Sequence, residues 1–186
     1  LNASPRLIMF NQSDDHHVAE EANAPEENSL CVWGDNSFGQ LAFDNANNEL
    51  KVFVPKMLSF GIHIVEISCG FEHSLLRSVK GELYSVGNNK KGQLGIGKKF
   101  KRKMAPTMVN FEDSNEKILL ASAQGDHNIA YSEFGHLYSW GDNSSGQLGT
   151  GDLEGREQPT DITKKLRLGA EESVITISCG REHSVV

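Results

Sequence analysis

Helical patterning is what this sequence most lacks. No segment of its 186 residues holds apolar positions at helical spacing over three turns, which argues against a helical bundle. A single helical turn near residues 169–173 is the most that is expected. No run of about 18 apolar residues occurs, so the sequence offers no membrane-crossing helix. Cysteine is scarce. The three residues Cys31, Cys69 and Cys179 contain no Cys-x-x-Cys pair, which excludes a disulfide framework and a zinc ribbon. Positive charge is also short, 18 Lys and Arg against 25 Asp and Glu. The resulting net charge of −7 disfavours a nucleic-acid backbone as a partner for the chain as a whole. No secretory signal is visible, which points to the cytoplasm or nucleus. The sequons at Asn2 and Asn143 are accordingly read as chance matches. There is no nucleophile elbow, no phosphate loop and no His-Glu-x-x-His, so no catalytic residue, metal site or cofactor is expected.

What is present is a repeat. VWGDNSFGQL (residues 32–41) returns as SVGNNKKGQL (85–94) and as SWGDNSSGQL (139–148). A second element keeps phase with it: SCGFEHSLL from Ser68, SAQGDHNIA from Ser122 and SCGREHSVV from Ser178. His73 precedes Gly87, and His127 precedes Gly141, by the same 14 residues. Two motifs that hold one offset define one structural unit, written over residues 28–80, 81–134 and 135–186. Cys69 and Cys179 share one position in that unit, which predicts buried free thiols and no pairing.

Short β-branched and apolar runs separated by Gly, Asn and Asp clusters read as strands and tight turns. The Asn and Gly positions of the Gly-Gln-Leu motif suit turns with φ above zero, and Leu41, Leu94 and Leu148 are expected to anchor each turn in the core. About four short strands per unit form one antiparallel sheet, and sheets of this size stack radially as the blades of a β-propeller. The fold class is therefore all-β. His73, His127 and His183 recur with the period and are assigned to the architecture, each fixing a local strand or turn.

Residues 1–27 read as an acidic, polar loop or linker, with a short apolar run at 7–10 that suits a strand of a preceding or closing blade. Asp14, Asp15, His16 and His17 lie within it and are read as solvated, without preorganised metal geometry. The next hairpin glycine falls due just past Val186, and the sequence opens on Leu1. A piece of a longer protein is expected.

Gly70-x-x-His73-Ser74, Gly180-x-x-His183-Ser184, Gly135-His136-Leu137-Tyr138-Ser139-Trp140-Gly141 and Gly146-Gln147-Leu148-Gly149 resemble the regulator of chromosome condensation repeat family. The resemblance implies a propeller of about seven blades, of which three units are present. Gln124, Val86, Ala42 and Asn28 depart from the family pattern and read as drift within single blades.

By this resemblance, the two residues between Gly and His lie on one propeller face, and a member of the family contacts the small GTPase Ran through acids in such turns. Phe71, Glu72, Asp126, Arg181 and Glu182 are thus candidate partner-binding residues, the acids forming an arc toward a basic surface. Three solvated acids are the alternative. Members that sense ultraviolet-B light carry Trp directly after the Gly. Phe71, Gly125 and Arg181 stand there instead, which argues against that mechanism. Residues 42–54 are the one candidate for the inserted wedge of the exchange factor, or an ordinary longer loop.

A second feature is a basic between-strand loop of Lys98, Lys99, Lys101, Arg102 and Lys103 around Phe100. It suits an import signal, a phosphate or an acidic protein, and equally a plain solvated loop. The leading expectation is a protein–protein interaction scaffold. The alternatives are a guanine-nucleotide exchange factor for a Ran-like GTPase and a chromatin-associated module.

Overall fold

A computed structural model describes residues 29–43, 50–167 and 172–186. Residues 1–28, with the expected run at 7–10 and the Asp14–His17 cluster, lie outside the described residues, as do residues 44–49 and 168–171.

Among the described residues there are twelve strands and one short helix. In chain order they are β1 (Ser29–Asp35), β2 (Lys51–Ser59), β3 (Ile64–Cys69), β4 (His73–Ser78), β5 (Leu83–Asn88) and β6 (Arg102–Met108). They continue with β7 (Ile118–Gln124), β8 (His127–Ser132), β9 (Leu137–Gly141), β10 (Arg156–Asp161), α1 (Thr163–Leu166), β11 (Ser178–Cys179) and β12 (Ser184–Val185). The helix stands ahead of the place where a turn was expected.

All strand pairing among the described residues is antiparallel. Two complete sheets run β3-β4-β5-β6 and β7-β8-β9-β10, and two half-sheets, β1-β2 and β11-β12, flank them. Each complete sheet takes its two inner strands from one sequence unit and its two outer strands from the next. The expectation that one unit makes one sheet is therefore corrected. The unit boundary falls in the tight β4–β5 hairpin at Lys80 and Gly81, where Gly81 N donates to Ser78 O at 2.9 Å. A hairpin joins strands within a sheet, so the sheet is offset by half a unit from the repeat. The offset ties neighbouring units together through the β4–β5 and β8–β9 ladders.

The sheets pack face to face. Leu75, Leu83, Val109, Ile118, Ala121, Ala130, Tyr138 and Trp140 form the core between the two complete sheets, with Phe111 edge-on to Tyr138 at 4.9 Å. Each fully buried Leu or Trp here contributes on the order of 2 kcal/mol through its burial. A smaller cluster of Ala42, Leu76 and Val86 joins β1-β2 to the first complete sheet. Ile129, Leu137, Ile162 and Cys179 join the second to β11-β12. Pro106 sits in β6, at the outer edge, where no further strand needs its missing N–H.

The cysteines do not behave alike. Cys179 is buried and burial pushes its thiol up to about 11, but Cys31 and Cys69 are exposed. A cysteine at the repeat position that Cys69 and Cys179 share is covered by the inner strand of the sheet before it. β7 covers Cys179, whereas among the described residues no inner strand precedes β3.

Candidate functional site

Each Gly-Gln-Leu loop is held by its own side chains. Asn36, Asn89 and Asn143 accept through Oδ1 from the backbone N of Leu41, Leu94 and Leu148 at 3.0, 3.0 and 2.9 Å. The Asn positions thus act as buried hydrogen-bonding hubs. The positive φ expected of them falls to the glycines, and also to Ala42 (φ 66) where Gly95 and Gly149 stand in the other units.

The turns that lead into His73, His127 and His183 open β4, β8 and β12, with Gln124 in place of the leading Gly in the second. Gly70 N donates to His73 O at 2.9 Å and Gly180 N to His183 O at 2.8 Å, which closes each turn tightly. The His73 ring lies directly against Gly70, leaving no room for a Cβ. The histidines do not fix their own turns, as expected from sequence, but reach the next sheet. His73 Nε2 meets Asn128 Oδ1 at 2.7 Å, and His127 Nε2 meets Ser184 Oγ at 3.0 Å. The residue after each His in turn donates to the preceding Gly-Gln-Leu loop: Ser74 Oγ to Gln40 O, Asn128 Nδ2 to Gln93 O and Ser184 Oγ to Gln147 O, at 2.7–2.9 Å. A buried polar ladder thus sets the spacing of successive turns.

That ladder brings the expected site residues together. Phe71 N donates to Gly125 O at 2.9 Å, Gly125 lies against Arg181 O, and the Arg181 guanidinium sits 5.8 Å from the Phe71 ring. The three turns form one continuous ridge, with Glu72, Asp126 and Glu182 each next in chain to a residue of this contact line. Glu182 pairs with Arg181 at 3.5 Å, and both are exposed.

The acids are not equivalent. Glu72 accepts from Asn88 Nδ2 at 2.5 Å. Asp126 accepts from Gln93 Nε2 at 3.0 Å. In the other units the same Gln bonds the Asp of its own loop: Gln40 Nε2 to Asp35 at 2.8 Å and Gln147 Nε2 to Asp142 at 3.1 Å. Asn88 replaces that Asp in the middle unit, which frees Gln93 to reach Asp126. Partial burial, reinforced by the charges of Glu72 and Asp142, raises the Asp126 carboxyl above the usual carboxylate range. Burial also opposes the charge on Asp142, but hydrogen bonds from Ser144 and Lys91 outweigh it and hold that carboxyl low. Lys91 Nζ stands 3.2 Å from Asp142. Asn88, Lys91, Gln93 and Asp142 therefore belong to the ridge, though sequence reasoning passed over them. The Asn in place of Asp at 88 was the available signal.

The basic residues lie at the same end of the first complete sheet, across β5 from the ridge, since Gly87 pairs with both His73 and Lys103. They are not one free loop. Arg102 and Lys103 belong to β6, and Lys98 pairs with Glu157 at 2.5 Å. Lys99 and Lys103 stand over the Phe100 ring, at 5.4 and 3.6 Å from its centre. Lys101 is exposed. Of the candidate wedge, residues 50–54 lead into and begin β2, a nine-residue strand. Among the described residues no group of His, Cys, Asp and Glu is placed to hold a metal ion.

Comparison with known proteins gives this architecture a family. Residues 27–76, 80–131 and 135–186 each match the regulator of chromosome condensation (RCC1) repeat. The chain is 36% identical over 182 residues to the human probable E3 ubiquitin-protein ligase HERC6, covering 91% of this chain and 17% of that protein. It is 33% identical over 180 residues to the ultraviolet-B receptor UVR8 of Arabidopsis thaliana, covering 97% of this chain and 39% of the receptor. Among solved structures, yeast RCC1 (Prp20) bound to Kap60 superposes with a TM-score of 0.74 at 29% identity, covering 86% of this chain and 38% of that one. The chain thus spans well under half the length of these relatives, and it belongs to the RCC1 repeat family.

Proposed function

We propose that this chain supplies a protein-binding face of an RCC1-type propeller and carries no covalent chemistry of its own. The observation behind this reading is the ridge. Three turns from three units touch in sequence, and each offers an acid beside a contact residue. Buried ladders hold the turns, so the acids are presented without much loss of backbone freedom on binding. A basic protein surface is the complementary partner. The RCC1 relatives support a protein partner. Yeast RCC1 was solved with Kap60 bound, and Prp20p is described by its binding to Gsp1p and histones.

The test is affinity capture from a nuclear and cytoplasmic extract with the wild type and a Glu72→Lys/Asp126→Lys/Glu182→Lys variant. Partners retained by the wild type and lost by this variant, but kept by a Lys99→Glu/Lys101→Glu control, support the ridge. Equal capture by both variants overturns it.

A second reading uses the same ridge. It is guanine-nucleotide exchange on a Ran-like GTPase, and its support is the likeness, at a TM-score of 0.71, to Prp20p, a protein with binding properties to Gsp1p and histones. Release of labelled GDP from Ran and related GTPases separates the two. Acceleration establishes exchange, whereas unchanged release by a folded protein leaves the scaffold reading. A chromatin role through Lys99, Lys101, Arg102 and Lys103 is the third. It requires nucleosome binding that falls steeply with salt. Both nuclear and cytoplasmic residence suit these readings.

A further inference from the structure

The end of the two complete sheets away from the ridge carries a feature that does not recur with the repeat. The β4–β5 and β8–β9 hairpins turn there, and residues 109–117 cross from β6 to β7 beside them. Ile118 N donates to Gly81 O and Glu133 N to Lys117 O, both at 2.9 Å, so this crossing is tied to both hairpins. Within it, the Glu116 side chain is only 1% exposed, and its Oε1 lies 3.0 Å from His136 Nδ1. Its Oε2 has no hydrogen-bond partner among the described residues. Two other buried side-chain atoms share that condition, and both are ring nitrogens, in His73 and His127. A neutral ring nitrogen tolerates this at far lower cost than the oxygen of a buried carboxylate.

Glu116 lines an open cavity of about 410 Å³ together with Lys80, Glu82, Lys117, Glu133 and Phe134. Three carboxylates stand against two ammonium groups on its wall. Glu82 is engaged by Ser78 Oγ and Tyr84 OH, and Lys117, itself exposed, pairs loosely with Glu133 at 3.6 Å. The local field is negative: burial, then the charges of Glu116, Asp161, Glu112 and Asp113, push the Tyr138 hydroxyl up to about 12. Phe134 is 58% exposed at the same place. The preceding unit serves as a comparison. Val79 N donates to His63 O just as Glu133 N donates to Lys117 O, so Glu116, Glu133 and Phe134 correspond to Ile62, Val79 and Lys80. Two aliphatic side chains and a lysine are thus replaced by two acids and a phenyl ring, although the backbone is the same. Residues that served only the fold would recur with it.

We propose that this cavity takes an arginine side chain of a protein partner, as a docking point separate from the ridge. A guanidinium carries several N–H donors in one plane. It donates to Glu116 Oε2 and to Glu133 while its face lies on the Phe134 ring. A lysine ammonium offers the charge without the plane, and so meets only part of the site. The walls belong to the two complete sheets and the crossing between them, so the site is whole within the described residues.

The test is a titration of the isotope-labelled chain with N-acetyl-arginine amide, followed through backbone amide shifts by NMR. Saturable shifts centred on Asn115, Glu116 and Phe134 are expected at millimolar probe. N-acetyl-lysine amide is expected to bind about fivefold more weakly, and the uncharged N-acetyl-citrulline amide not to bind. Free L-arginine is expected to bind no better than the capped residue. Glu116→Gln is expected to weaken arginine binding about tenfold, and Phe134→Ala about threefold, while Glu72→Lys on the ridge leaves it unchanged. The absence of a saturable shift overturns the proposal, as does equal binding of the lysine or citrulline amide. Tighter binding of free L-arginine assigns the cavity to a small molecule and overturns it too. Affinity unchanged in both cavity variants places the site elsewhere, with the same consequence. If Glu116→Gln unfolds, Phe134→Ala decides alone, because that side chain is exposed and its loss spares the fold.

Discussion

His73 Nε2 and Asn128 Oδ1 stand 2.7 Å apart, joining two sheets whose contributing residues are 55 positions apart in the chain. Asn128 passes the link on, donating to Gln93 O at 2.8 Å, where Trp140 Nε1 also donates at 3.1 Å. Both His73 and Asn128 are fully buried. Asn128→Ala removes a partner from His73 and from Gln93 at once. A loss of about 2–3 kcal/mol is expected, the cost of buried polar groups left unpaired. Urea unfolding of the variant against the wild type measures it. A shift under about 0.5 kcal/mol would show that the ladder is not a structural tie.

The same histidine makes stability depend on pH. Burial, opposed by the Asn128 bond and assisted by the charge His127 would carry, pushes the His73 pKa down to about 4 from 6.5. Below pH 6.5 the unfolded chain therefore binds a proton that the folded chain refuses. The His73 contribution is fully present above pH 6.5, is lost as pH falls toward 4, and changes no further below that. The linkage is on the order of 3 kcal/mol over this window. His73→Gln is expected to flatten that part of the pH profile, read by urea midpoints between pH 7 and pH 4. A slope unchanged in the variant would assign the acid sensitivity elsewhere.

The repeat and its glycines were legible because they answer a backbone requirement that each unit meets alone. The sheet boundaries were not, since a period carries no phase: nothing in the sequence around Gly81 says that the sheet runs through the hairpin there. Burial of Cys69 also failed as a reading, because a cysteine at that position is covered by a neighbouring sheet and not by its own unit. That an acid stands directly ahead of His73, His127 and His183 was legible from the repeat, while the placing of these turns on one face came from the family resemblance. The crossing of Gln93 to Asp126 was not, because it depends on one Asp-to-Asn exchange at position 88 and on two units meeting in space.

Gly141 illustrates the legible part. Its φ is 106, a region that residues with a Cβ rarely adopt, and a Cβ there would meet the Asp126 carbonyl oxygen. Gly141→Val adds the cost of that backbone to an overpacked contact at the start of the ridge. A loss of about 3 kcal/mol or more is expected, read as a lowered thermal midpoint. Wild-type stability in this variant would show that the hairpin relaxes to another backbone path.

Asp126 separates binding from folding. Its carboxyl is raised by partial burial and by Glu72 and Asp142, so ionisation at neutral pH works against the folded state. Stability from this group is fully present below the ordinary carboxylate range and falls as pH rises through the raised folded value. Asn keeps an oxygen that accepts from Gln93 Nε2 while removing the charge. Asp126→Asn is therefore expected to be at least as stable as the wild type at pH 7, by thermal midpoint. If the ridge meets a basic partner, the same substitution weakens that complex about tenfold, a typical loss for one well-placed charge. An acid kept only for solubility would leave binding untouched. An acid kept only for the fold would lower the midpoint. A variant that gains or holds stability while losing affinity is the signature of a charge retained for contact, and calorimetric titration with the captured partner reads it directly.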